Sequence, residues 1–361
     1  MLLKMKVVIS DLHSVSKNGK RIGHYFSLAH NYQHIFGKRC VVAGGPVYMS
    51  EFAKSDLWVL PYNIIEGENS IISRLKTFAN AISLFKRARG ECIVLQQCTT
   101  ITTFLCILLF YHRKSKLYLI QYSLEGFRMW QGRVLYSLAK RKIDGLICPN
   151  EMVGKAYSGI PHCIVPDYLY TGIHELGDDY ETQYDNKKYD FCIIGRLSEE
   201  KGAIEVAVTF ANTKYKLLIA GEPSTNSIRE RLHEICDKSS NIDLRTDYLS
   251  ESAFKELLAL SRYSFLNYQG EYSKRSSGIV YDTIFSGVPV VGRFCKALGF
   301  VKDYKLGVLF EDINNFNPAE VLNKDTYCNF RNNIVEYCKT HIQYQKQLIL
   351  FLLGDNTELK N

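Results

Sequence analysis

The apolar positions of this chain change period repeatedly, from short continuous runs to helical spacing and back. KVVIS at 6–10, CVVAGG at 40–45, CIVLQQ at 92–97, LYLIQY at 117–122 and GLICPN at 145–150 are mostly apolar and end at polar or glycine residues. Such runs predict strands buried on both faces. Between them, residues 21–37, 70–89, 101–111 and 127–142 carry apolar side chains at helical spacing. In 21–37, Ile22, Phe26, Ala29 and Ile35 or Phe36 share a face, and Gly37 supplies a stop. In 70–89, Ile71, Leu75, Phe78, Ile82 and Phe85 recur at the same interval. Strand, helix, strand in this order predicts a parallel sheet covered on both faces.

The stretch TGIHELGDDYETQYDNKKYD at 171–190 is polar, acidic and aperiodic, and reads as a linker. The alternation then restarts. Strands are predicted at 190–195, 216–221, 241–246, 263–268 and 288–292, and helices at 202–212, 227–238, 251–260 and 278–286. Ser227 and Glu230 fit a capping box. The expectation is an α/β chain of two Rossmann-like domains facing across a cleft. The domains would be 1–170 and 190–330, with 171–189 between them and 331–361 as a C-terminal helix. In open sheets of this kind, ligands bind beyond the carboxyl ends of the strands.

At 361 residues and 46% hydrophobic content, the chain can fill two cores. Its eleven cysteines show no C-x-x-C pair, so they read as buried thiols in a reducing compartment. The run ITTFLCILLFY at 101–111 is too short to span a bilayer. MLLKMKVVISD passes directly into a strand, which predicts no leader and a cytoplasmic location. Charge is uneven. Residues 1–168 hold 22 Lys and Arg against 10 Asp and Glu, whereas the remainder hold 23 against 27. A basic first half predicts an anionic partner, and the amphipathic helices at 70–89 and 127–142 suggest a membrane surface on the inner face. No nucleic-acid recognition motif accompanies the charge.

The chemistry concentrates in two segments. CIIGRLSEEKG at 192–202 is a strand that stops at Gly195, followed by a turn carrying Arg196 and Lys201. SSGIVYDTIFSGVPVVG at 276–292 puts Ser276, Ser277 and Gly278 at a helix start, with Asp282 one turn in. Two cations and free helix-start N–H groups suit a diphosphate, and a nearby carboxylate suits ribose hydroxyls. No Asp-x-Asp occurs, so the reading needs no metal. An activated donor such as a nucleotide sugar follows as co-substrate, with no other cofactor.

These residues resemble the GT-B glycosyltransferases of the large retaining family 4, often called group 1. GRLSEEKG is similar to that family's Gly-Arg-Leu…Lys-Gly signature, KLLIAGE at 216–222 to its next strand and glycine turn, and SGVPVVG at 286–292 to its Gly-x-Pro element. DYLSESAFKELLALSRYSFLN at 247–267 and LGVLFE at 306–311 resemble its base-binding segment and late strand. The resemblance covers roughly 190–311 well; the first half agrees mainly in pattern. It implies a donor site of Gly195, Arg196, Lys201, Gly221, Tyr248, Lys274, Ser276, Ser277, Gly278 and Asp282, with Arg196 and Lys201 stabilising the leaving group. The family places two glutamates seven residues apart. Here Asp282 stands for the second and Lys274 near the first, which reverses a charge; Glu271 is the carboxylate that could replace it in catalysis. Relatives also have a glycine-bearing loop and a histidine on the acceptor side. Gly23 and His24 fit the loop, but the strand ends offer Gln97, Tyr122 and Glu125 in place of that histidine.

The resemblance implies transfer of a sugar, with retention, from a nucleotide-diphosphate donor, most simply UDP-linked. The acceptor would be a saccharide or lipid-linked saccharide in bacterial surface polysaccharide or lipopolysaccharide synthesis. The last helix would cross back to the first domain. A non-catalytic GT-B module serving a partner is the alternative, favoured by Lys274 and the absent histidine. A sugar-nucleotide epimerase is a third reading, and it requires carboxylates that the sequence does not place.

Overall fold

The computed structural model describes residues 5–17, 19–21, 25–96, 100–122, 129–166, 169, 172, 176, 179–270, 273 and 277–354. The chain divides into two units: residues 1–171 with 341–361, and residues 172–340.

The first unit contains β1 (Val7–Ser10), β2 (Val15–Lys17), β3 (Lys20–Arg21), α1 (Tyr25–Phe36), β4 (Cys40–Gly44), β5 (Leu57–Val59), β6 (Ile64–Ile65) and α2 (Ser70–Arg87). It continues with β7 (Cys92–Leu95), α3 (Ile101–Phe110), β8 (Lys116–Ile120), α4 (Trp130–Ala139), β9 (Gly145–Cys148), α5 (Glu151–Ala156) and β10 (His162–Ile164). Seven of these strands form a sheet in the order β10-β9-β8-β7-β1-β4-β5, and every neighbouring pair is parallel. Successive side chains leave opposite faces of a strand. Val7 and Ile9 therefore pack in one core with α1, and Val8 packs in the other with α2, α3 and α4. Side chains set the helix ends. Asn69 caps α2 through the Ile71 N–H, Thr100 caps α3 through the Thr103 N–H, and Lys142 Nζ donates to the α3-end carbonyls of Ile107, Leu108 and Tyr111.

The second unit contains α6 (Tyr180–Asp185), β11 (Tyr189–Ile194), α7 (Ala203–Phe210), β12 (Leu217–Ala220), α8 (Asn226–Cys236), β13 (Ile242–Arg245), α9 (Glu251–Ala259) and β14 (Ser261–Leu266). It ends with α10 (Gly278–Phe285), β15 (Val290–Arg293), α11 (Gly299–Asp303), β16 (Gly307–Phe310), α12 (Pro318–Val321) and most of α13 (Lys324–Leu353). The sheet order is β13-β12-β11-β14-β15-β16, again all parallel. Numbered from its own first strand, this is 3-2-1-4-5-6, the doubly wound order whose direction reverses between strands 1 and 4. The first unit reverses in the same way between β1 and β7.

Several local predictions shift. The helix predicted from 21 starts at Tyr25, because Lys20–Arg21 pairs antiparallel with β2 instead. Two- and three-residue strands such as β2, β3 and β6 are too short to show a period. The cap of α8 is Thr225, whose hydroxyl accepts from the Ile228 N–H at 3.3 Å, so Ser227 and Glu230 lie inside the helix. The aperiodic stretch before β11 carries α6, held by the Tyr184 ring against Tyr327 and under the Arg262 guanidinium. The last helix begins at Lys324, earlier than expected. Its final turns belong to the first unit: Leu348, Ile349, Leu352 and Leu353 enter the α1 core, and Tyr118 Oη donates to the Phe351 carbonyl at 3.1 Å. All described cysteines are unpaired by disulfide, and all but Cys328 are buried.

Phe191 on β11 is fully buried, with the rings of Phe210, Tyr263, Phe265 and Phe316 within 5.2–5.9 Å. Phe191→Ala should destabilise the second unit by about 3–5 kcal/mol, read from a lowered urea midpoint at unchanged m. A loss under ~1 kcal/mol would show that the ring cluster is not the core of that unit.

Candidate functional site

The reversal point of the second sheet lies between the carboxyl ends of β11 and β14. β11 stops at Gly195, whose φ is +109°, and β12 stops at Gly221, whose φ is +138°. A Cβ on Gly221 would fall 1.9 Å from the Gly195 carbonyl oxygen, so only glycine lets the two chain ends pass. The chain then makes a turn at Glu199–Lys201, closed by the Gly202 N–H donating to the Glu199 carbonyl at 2.8 Å. Gly202 sits against the end of β14, where a Cβ would overlap Asn267. The Gln269 N–H donates to the Glu200 carbonyl at 2.7 Å, which fixes the turn to the segment after β14.

This turn aims Lys201 inward. The residue is 9% exposed, and its Nζ lies 3.8 Å from the Cβ position of Gly195. Burial, and then the charge of neighbouring Arg196, push its amine down from 10.5 to about 8. Arg196 is exposed beside it. A cation held out of water next to another cation favours an anion between them.

The start of α10 reaches the same edge, since a Cβ on Gly195 would fall 2.6 Å from Ile279 Cδ1. Ser277 precedes the helix but does not cap it. Its hydroxyl shares a 2.7 Å hydrogen bond with Tyr268 Oη, and both residues are buried. The serine hydroxyl is thereby committed to holding the loop; the Val280 N–H donates to the Ser277 carbonyl at 3.2 Å, and no side-chain cap takes up the helix start. Gly278 is buried, Asp282 is half-buried on the next turn, and Tyr248 is half exposed after β13. Glu271, Lys274 and Ser276 lie outside the described residues, as do Gly23, His24, Gln97 and Glu125.

Sequence reasoning missed Glu205. From the first turn of α7 its carboxylate accepts from Asn267 Nδ2 at 2.7 Å, from Gln269 Nε2, and from Arg293 Nη2 at 3.2 Å. Donors from two segments, the stretch after β14 and the end of β15, meet on one carboxylate of α7, which no linear spacing announces. Arg293 and Gln269, with Ser273 and Lys296, then wall an open hollow of about 570 Å³ beyond β14 and β15.

In the first unit, the edge at its own reversal point is polar. Asp11, 1% exposed, accepts from the His13 and Ser14 N–H groups and from Tyr48 Oη at 2.9 Å. His13 meets Thr100 and Thr103 through Nε2 at 3.3 Å each. Gln96 and Gln121 are buried at the ends of β7 and β8. Tyr122, expected at an acceptor site, is half-buried and packs on the α1 core. Among the described residues, no group of His, Cys, Asp and Glu is placed to hold a metal ion, and no helix is long and apolar enough to cross a membrane.

No protein-family profile and no curated protein sequence matches the chain. Solved structures do. AviGT4, a glycosyltransferase involved in avilamycin A biosynthesis, aligns at 14% identity over 97% of this chain and 99% of its own, with a TM-score of 0.60. HepE from Anabaena, in complex with UDP and glucose, aligns at 13% identity over 97% and 100%, with a TM-score of 0.61. The fold is GT-B. WaaG, a glycosyltransferase involved in lipopolysaccharide biosynthesis, extends the likeness at 11% identity over 96% and 100%, with a TM-score of 0.58. At these identities the GT-B likeness carries architecture alone, and the chemistry must come from the residues.

Gly221→Ala tests the edge directly. It should cost more than about 1 kcal/mol of stability, because the left-handed backbone and the Gly195 carbonyl both oppose a methyl group. A thermal midpoint unchanged from wild type would contradict this packing.

Proposed function

We propose that the chain is a glycosyltransferase that moves a sugar from a nucleotide-diphosphate donor, UDP-linked, to a saccharide or lipid-linked saccharide acceptor. The observation that carries this is Lys201, a buried cation directed at the strand end beside Arg196. With the α10 start at the same edge, these groups suit a diphosphate. The HepE complex, in which a GT-B relative holds UDP and glucose, supports the choice of donor. The involvement of WaaG in lipopolysaccharide biosynthesis supports a setting in lipopolysaccharide or other surface polysaccharide synthesis.

In the proposed reaction, the bond between the sugar C1 and the departing phosphate oxygen breaks as a bond from the acceptor oxygen forms. Negative charge grows on the diphosphate. Lys201, Arg196 and the α10 N–H groups interact more strongly with that charge than with the intact donor, which is how they would lower the barrier. The departing phosphate takes the acceptor proton on the same face of the sugar, so the configuration at C1 is retained and no protein base is required. Asp282 would accept the ribose hydroxyls. Gly195 and Gly221 would admit the diphosphate close to the backbone.

Calorimetry with UDP, GDP and ADP tests the donor. UDP should bind best, and Lys201→Ala and Arg196→Ala should each weaken it about 10- to 100-fold. Absence of nucleotide binding by the folded chain would overturn the proposal.

The titration of Lys201 gives a second check. Before nucleotide binds, the amine is half-neutral at about pH 8, and a bound diphosphate raises its proton affinity. Between about pH 8 and 10, binding should therefore take up a proton and weaken as pH rises. Proton uptake is read from binding heats in buffers of different ionisation enthalpy, and it should vanish in Lys201→Ala.

A further inference from the structure

We infer that the outer face of α2, α3 and α4 rests on an anionic lipid surface. The three helices are neighbours, α2 packing on α3 and α3 on α4. Their inner faces fill one core of the first sheet through Leu84, Phe104 and Tyr136, among others. The opposite faces should be polar on a helix that meets only water. They are apolar instead. On α4, Trp130, Val134 and Leu138 form an i, i+4, i+8 row and are 65%, 48% and 59% exposed. On α2, Ile71, Leu75 and Ile82 are 64%, 61% and 47% exposed. Between these rows, Ile101 and Leu105 of α3 are half-exposed and Leu109 is 59% exposed. An apolar surface continuing over three helices exceeds the scattered exposure usual on a monomer.

Charge selects the occupant. Residues 70–142 contain thirteen Lys and Arg, two Glu and no Asp. α2, α3 and α4 themselves carry no carboxylate. Arg74, Lys86, Arg133 and Arg141 are exposed on or beside the apolar rows. Lys142 is excluded from this set because its amine holds the end of α3. An apolar middle with an exposed tryptophan, bordered by cations and free of acids, fits the acyl–headgroup boundary of an anionic bilayer. It suits a second copy of this chain poorly, since the same cations would face each other.

None of these residues belongs to the candidate donor site, so the lipid-facing surface stands independently of the sugar-transfer proposal. The full chain would be sedimented with vesicles of equal phosphatidylglycerol and phosphatidylcholine, and with phosphatidylcholine alone. Binding to the anionic vesicles only, lost at high salt, is expected. Trp58→Phe leaves Trp130 as the single tryptophan, and its emission should move to the blue on binding. Trp130→Glu with Leu138→Glu, or Arg133→Glu with Arg141→Glu, should each lower the bound fraction about tenfold or more. These side chains are exposed, so the melting temperature should hold. Failure to bind anionic vesicles, equal binding to neutral ones, or binding indifferent to both double variants would overturn the inference. So would self-association abolished by Trp130→Glu in a chain that ignores vesicles.

Discussion

Every strand of the two large sheets runs parallel to its neighbours, so each sheet has one edge composed entirely of strand carboxyl ends. Backbone groups inside such a sheet are consumed by the ladder, and side chains on both faces are buried. Polar chemistry is thereby displaced to that edge. At the reversal of strand order, adjacent connections leave toward opposite faces, and a gap opens between them. In the second unit Gly195, Lys201, Asn267 and the start of α10 are gathered there; in the first, Ser10, Asp11 and Gln96 are.

Two kinds of polar group occupy these edges, and they differ in their surroundings. Asp11 and Glu205 are saturated: each accepts several hydrogen bonds from separate segments and acts as a knot. Breaking such a knot leaves buried donors without acceptors, which costs more than the bonds themselves contribute. Lys201 is different. Its desolvation and its cationic neighbour both act against its charge, and an anion at this edge would act in its favour. Groups with shifted protonation equilibria gather where a protein must bind charge.

The order of elements was readable because buried parallel strands and amphipathic helices differ in period over five or more residues. The runs at 6–10, 92–97 and 190–195 correspond to β1, β7 and β11. The candidate site at the end of β11 was readable in outline for another reason: a glycine, two cations and a helix start lie within two short segments of chain. What was not readable depended on meeting in space. Glu205 gathers partners from positions 267, 269 and 293. Ser277 looks like an ordinary cap and is instead bonded to Tyr268. Exposed Trp130, Val134 and Leu138 carry the same letters as core residues, and only the packing of α4 shows that they point outward.

The buried cysteines have a consequence for how the chain meets reactive small molecules. Burial raises the thiols of Cys92, Cys106, Cys192 and Cys338 to about 12, so almost none is thiolate near neutrality. Electrophiles and oxidants attack the thiolate, and here they must also wait for the backbone to open. Covalent modification of these four thiols is therefore governed by how often the segments that bury them open, so their reaction rates report that opening.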